Sequence, residues 1–160
     1  MPTIRFANGE GLGEGFAITM YLLQTHWSDK KFFPQKATQN RKIMQILAFE
    51  QTTLRSPVAG LYGAQVIMPR FFKRDSLDGE ELEEKEAPIN KALEQLLVLK
   101  KHFGGRYLTN DNFTAGDHHV WATVHLLVRF ELIDLEDDHK EIKKWYDLCS
   151  TERGPQAIKK

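Results

Sequence analysis

Three histidines lie close together in the chain, and imidazole nitrogens are common zinc ligands: His118, His119 and His125. Two zinc ligands on one helix face need a spacing of four residues. The residue four positions after His118 is Ala122, and the residue four before His125 is Trp121. His118 and His125 share a face two turns apart, with no carboxylate between them. The spacing therefore predicts no metal site.

The single cysteine is the second group that could do chemistry. Cys149 continues an apolar stripe at helical spacing with Ile142, Trp145 and Tyr146. This placement predicts a buried thiol that packs as a small apolar side chain, not a reactive nucleophile. One cysteine excludes an internal disulfide and is typical of a reducing compartment, so the sequence predicts a cytoplasmic protein.

The segment Phe113 to Asp117, with the sequence FTAGD, has the spacing of a helix cap. The Thr114 hydroxyl can accept the amide of the third helical residue, and the Asp117 carboxylate can accept the Thr114 amide. Loss of such a cap typically costs about 1 kcal/mol. The motif predicts a helix starting at Thr114 and a structural role for both residues.

Residues 2–22 have the pattern of a strand, a tight turn, a short strand and an amphipathic helix. Asn8 and Gly9 favour a type I′ turn, in which both central residues take positive φ. Apolar residues then follow from Ile18 at positions i, i+3 and i+4, which predicts one apolar helix face. Glu14 lies just before this helix, where the helix dipole favours an acidic side chain.

The rest of the chain is predicted to be helical. Residues 26–37 show no sustained hydrophobic period and are interpreted as a linker, and a long helical pattern begins near Thr38. Pro57 lacks an amide hydrogen and its ring crowds the preceding turn, so we expect a kink or a break there. Pro69 is expected to limit the length of the helix that follows Pro57.

Residues 73–86 are mostly charged and predict a solvated turn followed by the outer face of a further helix. Pro88 either kinks that helix or marks its first turn. Gly104 and Gly105 are expected to end it. The helix that starts at Thr114 is apolar around most of its circumference, which predicts a central, buried position.

Composition narrows the functional classes. The 160 residues suit one compact domain, or one domain with a fragment of another, and 41% of them are hydrophobic. The 22 basic and 22 acidic residues balance, which gives no overall attraction to nucleic acid or to an anionic membrane. No apolar run approaches the ~20 residues that span a bilayer, and the N-terminus lacks a secretory signal pattern.

Three stretches together resemble the all-helical domain of cytosolic glutathione transferases. Residues 33–50 are similar to the linker and first helix of that domain, and residues 107–117 to the loop and cap before its core helix. The run from Ile133 to Leu135, followed by Ile142 and Trp145, is similar to its end. The Phe49-Glu50 pair and the Ile133-Asp134-Leu135 run are most similar to the insect delta and epsilon classes.

Residues 2–22 resemble the last third of the thioredoxin-like, glutathione-binding domain of the same family. The resemblance implies a mainly α fold, an all-helical C-terminal domain preceded by a hairpin-plus-helix remnant of the thioredoxin-like domain. The implied boundaries are 1–25 for the remnant, 26–37 for the linker and 38–160 for the helical domain. The expectation is that the first part of the thioredoxin-like domain is missing, through either a shortened gene model or a natural short form.

The resemblance implies a glutathione site, mapped residue by residue. Pro2 matches the family's cis-proline, whose neighbour's backbone pairs with glutathione, and that neighbour would be Met1. Glu14 matches the acidic residue of the family's Glu-Ser pair, often followed by arginine, that holds the γ-glutamyl end. Gly15 stands at the serine position and Phe16 at the arginine position. The family's catalytic Ser, Tyr or Cys has no match, so no catalytic residue is assigned.

The family's electrophile pocket is lined by the long kinked helix and by the C-terminal segment. Leu54, Val58 and Tyr62, at spacings of four, are the candidates for this lining. The alternative is that they are core or dimer-contact residues.

Two functions follow. The first is a glutathione transferase that conjugates small apolar electrophiles in detoxification, with glutathione as co-substrate and no other cofactor. Its activity is expected to be weak or absent, because its glutathione site is incomplete. The second is a non-catalytic helical module for protein association or for holding apolar ligands. Two short strands are marginal alone and expose an edge, so the chain is expected to dimerise, to swap strands or to be unstable at its N-terminus. Of these, a homodimer is the partner that we expect in either case. Neither nucleic acid nor a membrane is an expected partner.

Overall fold

A two-stranded hairpin opens the fold. The computed structural model describes residues 2–158, apart from the side chains at positions 39, 153, 157 and 158. Strands β1 (Thr3–Arg5) and β2 (Gly11–Gly13) pair antiparallel. They are the only two strands of the sheet among the described residues.

The turn of the hairpin differs from the type I′ prediction. Of its central pair only Gly9 has positive φ, at 90°, and its amide donates to the Phe6 carbonyl at 3.0 Å. The Asn8 carboxamide oxygen accepts the Glu10 amide at 3.1 Å. The loop is longer than a two-residue turn. The Asn8 side chain accepts a hydrogen bond within the loop, and of the central pair only Gly9 takes positive φ.

Eight α-helices follow within the described residues, and two π-helical turns join three of them end to end. They are α1 (Gly15–Thr25), α2 (Ala37–Phe49), α3 (Arg55–Tyr62), α4 (Met68–Phe72), α5 (Gly79–Phe103), α6 (Ala115–Arg129), α7 (Lys140–Cys149) and α8 (Arg153–Ile158). The short α8 was not predicted. None of the described helices is both long and apolar enough to cross a bilayer.

The helical run from α2 to α4 continues through two prolines. π-Helical turns at Glu50–Leu54 and Gly63–Ile67 join the three helices. Each proline lies just after such a turn, so that the carbonyl four residues earlier, which a proline ring would otherwise hit, belongs to the widened turn. For this reason the helical run neither breaks at Pro57 nor ends at Pro69, so these two predictions are wrong. The alternative of a kink at Pro57 stays a prediction. The run ends at Lys73, which takes left-handed φ of 52°.

Pro88 lies well inside α5, so its first-turn alternative is wrong. Gly104 ends α5 with φ of 69°, a value that only glycine adopts without strain.

The main core lies between α3, α5, α6 and α7. Helix α6 occupies its centre, as its nearly all-round apolar sequence predicts, with Val120, Trp121, Val124 and Leu127 fully buried. Ile142, Trp145, Tyr146 and Cys149 of α7 close the core on one side. The buried surface of these helices is the chief source of stability in this part of the chain.

A second cluster fastens the N-terminal elements to the helical region. We call it the junction cluster; it consists of Leu23, Phe33, Ile43, Leu47 and Ala115, with Phe16, Met20, Phe32 and Met44 packed against it. The Ala115 amide also donates to the Phe32 carbonyl at 3.0 Å. The predicted linker therefore contributes a buried side chain to the junction.

Candidate functional site

The N-terminal end of α1 carries an unusual backbone conformation. Glu14, between β2 and α1, has φ of 64° and ψ of 117°. Positive φ is uncommon for a non-glycine residue and is found mostly at turns and functional sites. The Glu14 carbonyl accepts the Ile18 amide at 3.0 Å, which fixes the start of the helix directly after it.

Pro2 and Gly15 lie next to each other at this helix end. A Cβ atom built on Gly15 would be 3.7 Å from the Pro2 Cγ atom, which is ordinary contact. Pro2, Glu14 and Gly15 are all exposed. The helix end presents backbone amides and positive dipole to the same surface, an arrangement that favours an anionic group. Met1 lies outside the described residues, and so does the Met1–Pro2 peptide bond.

Phe16 does not share this surface. Its side chain packs against the junction cluster. The family resemblance would place an arginine at position 16, but Phe16 is used for packing. This position therefore supplies no basic side chain to the surface at the start of α1.

The predicted capping box is present at the start of α6. The Asp117 carboxylate accepts the Thr114 amide at 3.0 Å and the Thr114 hydroxyl at 2.6 Å, and the reciprocal bond to the Thr114 side chain is also made. The other oxygen of Asp117 accepts the Leu108 amide at 2.8 Å and the Trp145 indole at 3.1 Å. Burial raises the pKa of the Asp117 carboxyl, and these hydrogen bonds oppose the shift. Asp117 thus ties α6 to a loop and to α7.

The proposed pocket residues occupy two different environments. Leu54 and Val58 are fully buried in the main core, and neither lines a described cavity. Their position corresponds to the core alternative. Tyr62 is half-buried, and its ring lies 4.9 Å from the ring of Phe130. Of the three, Tyr62 is the one with a surface that a ligand could reach.

A buried ionic cluster centres on Glu50, and the sequence analysis predicted none of its contacts. The carboxylate is fully buried, accepts the Thr123 hydroxyl at 2.6 Å and forms an ion pair of 3.0 Å with Arg55. It also accepts the Gln51 carboxamide at 2.6 Å. A carboxylate and a guanidinium five residues apart do not face each other on an α-helix, but here a π-helical turn separates them. Only knowledge of that turn would have revealed the pair.

The histidines contribute to packing. The His118 ring lies 6.3 Å from the ring of Phe113, where an apolar staple residue commonly packs. His125 stacks on Trp121 at 4.7 Å and shares a hydrogen bond of 2.8 Å with the Tyr146 hydroxyl. Burial lowers the pKa of His118 and of His119. In the part of the chain that the structure describes, no group of three side chains is arranged to hold a metal ion.

Cys149 is buried, and burial is the main cause of a raised pKa of its thiol. At neutral pH the group is therefore a thiol, and it is not nucleophilic.

Comparison with known proteins connects these features to one family. The sequence profile described as "Glutathione S-transferase, C-terminal domain" matches residues 62–152, more than half of the chain. The chain belongs to this family. The matched residues contain helices α4 to α7, of which α5, α6 and α7 contribute to the main core.

Solved structures of glutathione transferases share the fold. A delta-class enzyme from Nilaparvata lugens is 25% identical, with a TM-score of 0.70 over 93% of this chain. Glutathione S-transferase 1-6 from Anopheles dirus species B is 20% identical, with a TM-score of 0.72 over 99% of this chain and 69% of its own. A glutathione S-transferase-like protein from Lodderomyces elongisporus is 17% identical, with a TM-score of 0.78 over the whole of this chain and 73% of its own. The chain spans 63% of the length of the Nilaparvata enzyme.

Proposed function

We propose that this family member binds glutathione weakly at the start of α1 and has weak or no conjugating activity. The observation that carries the proposal is Gly15, which offers an exposed backbone amide but no hydroxyl at the position the resemblance assigns to serine. Phe16 supplies no cation beside it because its side chain packs on the junction cluster. A charged group left without its partners typically costs 1–3 kcal/mol or more of binding energy.

The co-substrate of such a reaction would be glutathione, and the second substrate a small apolar electrophile, as in detoxification. We place the protein in the cytoplasm because of its single buried thiol. We also propose the insect delta or epsilon class, on the Phe49-Glu50 pair and on the likeness to a delta-class structure.

Immobilised glutathione separates the two candidate functions. Weak retention, with elution by free glutathione and slow conjugation of 1-chloro-2,4-dinitrobenzene, is the expected result. Tight retention together with fast conjugation would contradict the proposal of a weakened site.

The second candidate is a non-catalytic helical module. It is favoured by the completeness of the helical core and of its two buried networks, at Asp117 and Glu50, beside an N-terminal site that lacks side-chain donors. Complete flow-through of the chain on immobilised glutathione, with no conjugation at any concentration, would favour this second function.

A further inference from the structure

A cavity of about 990 Å³ lies away from the start of α1. It is formed by α1, the linker, the loop before α6, the first turn of α6 and the segment around α8. Its lining does not include Pro2, Glu14 or Gly15. Its volume is at the upper end of the range for pockets that hold small organic molecules.

Four aromatic rings form a continuous wall of this cavity. Trp27 lies 4.8 Å from Phe32, Phe32 lies 6.0 Å from Phe113, and Phe113 lies 5.8 Å from Tyr107, all measured between ring centroids. We call this set the aromatic wall. Trp27 is 49% exposed, so an outer part of the wall remains open to a ligand.

The aromatic wall already has one cationic side chain of the protein next to it. The guanidinium of Arg106 lies 5.7 Å from the centroid of the Tyr107 ring, within the range of a cation–π contact. Trp27 and Phe32 line the same cavity. Tryptophan provides the strongest such contact of the aromatic side chains.

The charges around the wall favour a cation over an anion. Three carboxylates line the cavity, from Asp29, Asp111 and Glu152, against the two basic side chains of Lys31 and Arg106. Each carboxylate accepts hydrogen bonds through one of its oxygens: Asp29 from the Lys31 amide, Asp111 from the Arg106 amide, and Glu152 from the Tyr107 hydroxyl. Their second oxygens accept no hydrogen bond from the described residues, which leave out the side chains at positions 39, 153, 157 and 158.

The imidazoles of the cavity add no positive charge at neutral pH. Burial lowers the pKa of both His118 and His119, which line it. Tyr107 stays protonated, because burial, with a smaller contribution from the Glu152 carboxylate, raises its pKa to about 12.

We propose that this cavity binds an organic cation, an apolar or aromatic body that carries an ammonium group, with the ammonium on the aromatic wall beside the carboxylates. Such recognition combines desolvated cation–π contacts with burial of the apolar body. It does not depend on glutathione binding at the start of α1, because the two sets of residues are separate.

The probe is phenyltrimethylammonium, compared by ligand-detected NMR titration with its neutral isostere tert-butylbenzene, in which carbon replaces the ammonium nitrogen. The cation should bind about tenfold more tightly than the neutral compound, as a cation–π contact of ordinary strength requires. Added reduced glutathione should leave the affinity for the cation unchanged.

Variants separate the π contribution from apolar contact. Trp27→Leu keeps an apolar side chain but loses the ring, and should weaken cation binding about fivefold or more, whereas Trp27→Phe should retain most of it. Phe72→Leu changes an aromatic residue that is 64% exposed outside the cavity, and should have no effect.

Charge variants give effects of opposite sign. Asp29→Asn with Asp111→Asn keeps the side-chain carbonyl acceptors for the two backbone amides and should weaken cation binding several-fold. Arg106→Gln removes a competing cation from the Tyr107 ring and should strengthen binding a few-fold.

Four results would overturn the proposal: equal affinity for the cation and its neutral isostere, no effect of Trp27→Leu, an equal effect of Phe72→Leu, or no binding at all. Displacement of the cation by glutathione would place it at the other site and would also overturn the proposal. A failure of glutathione binding alone would contradict only the proposed function.

Discussion

At the scale of single residues, the absence of a side-chain hydroxyl at Gly15 is the feature of the start of α1 that bears most directly on glutathione binding. Glu14 takes a backbone conformation that non-glycine residues rarely adopt, and Pro2 lies beside Gly15. The hydroxyl at this position is missing, and Phe16 serves packing. The start of α1 therefore offers backbone groups, but no hydroxyl at position 15 and no basic side chain at position 16.

His118 makes stability depend on pH. Burial lowers its pKa below the unfolded value near 6.5, so the unfolded chain takes up the proton first as the pH falls. Its contribution to stability is therefore complete above about pH 6.5 and is lost as the pH falls toward the lower folded pKa.

His118→Leu should remove part of this dependence, because it replaces the imidazole that packs on Phe113 by an apolar staple residue. Urea unfolding between about pH 7.5 and pH 5.5 should show a slope smaller by up to about one proton than in the wild type. His119, whose pKa is also lowered by burial, should keep the remaining slope. An unchanged slope in the variant would contradict this assignment.

At the scale of elements, the helical run from α2 to α4 contains a glycine that the fold does not need. Gly60 lies inside α3, is exposed, and a Cβ atom there would meet nothing within 4 Å. Gly60→Ala should stabilise the chain by about 0.5–1 kcal/mol, since alanine loses less conformational freedom in a helix.

Gly105→Ala is the matched control, and it should destabilise by about 1–3 kcal/mol. A Cβ atom on Gly105 would lie 2.5 Å from the Asn110 carbonyl carbon, and φ there is 119°. Urea unfolding measures both variants. A loss of stability in Gly60→Ala would show that the run from α2 to α4 requires glycine at that position.

The sequence predicted the elements that follow local rules. The Thr114–Asp117 spacing predicted the start of α6, and the paired glycines predicted the end of α5. Both predictions were possible because helix caps depend on residues that are close together in the sequence. The π-helical turns escaped prediction, since they appear only when the rest of the helix is packed, and the Glu50–Arg55 pair escaped with them. The junction cluster was missed because it joins residues more than 90 positions apart.

At the scale of the whole molecule, an uncharged groove lies between α2 and α5. It has a volume of about 530 Å³, and its lining contains no charged side chain: Gln45, Ala48, Phe49, Thr52, Thr53, Gln95, Val98 and Leu99. Val98 is 66% exposed in it. A groove of this kind in a chain with 28% charged residues favours contact with a second copy.

We therefore expect a homodimer in size-exclusion chromatography with light scattering. Val98→Lys should shift it toward monomer, because it places a charge in the groove. Glu94→Lys, an exposed change on the same helix outside the groove, should leave the dimer intact. A monomeric wild-type chain would contradict this expectation.

The central claim is that a missing hydroxyl at position 15 weakens glutathione binding on an otherwise suitable backbone. Calorimetric titration of reduced glutathione into Gly15→Ser, with Gly15→Ala as control, tests it most directly, because the structure leaves room for a Cβ atom there. The serine variant should bind about tenfold more tightly than the wild type, as one regained hydrogen bond to a charged group requires, while the alanine variant should not improve. Equal affinity in the wild type and the serine variant would contradict the account.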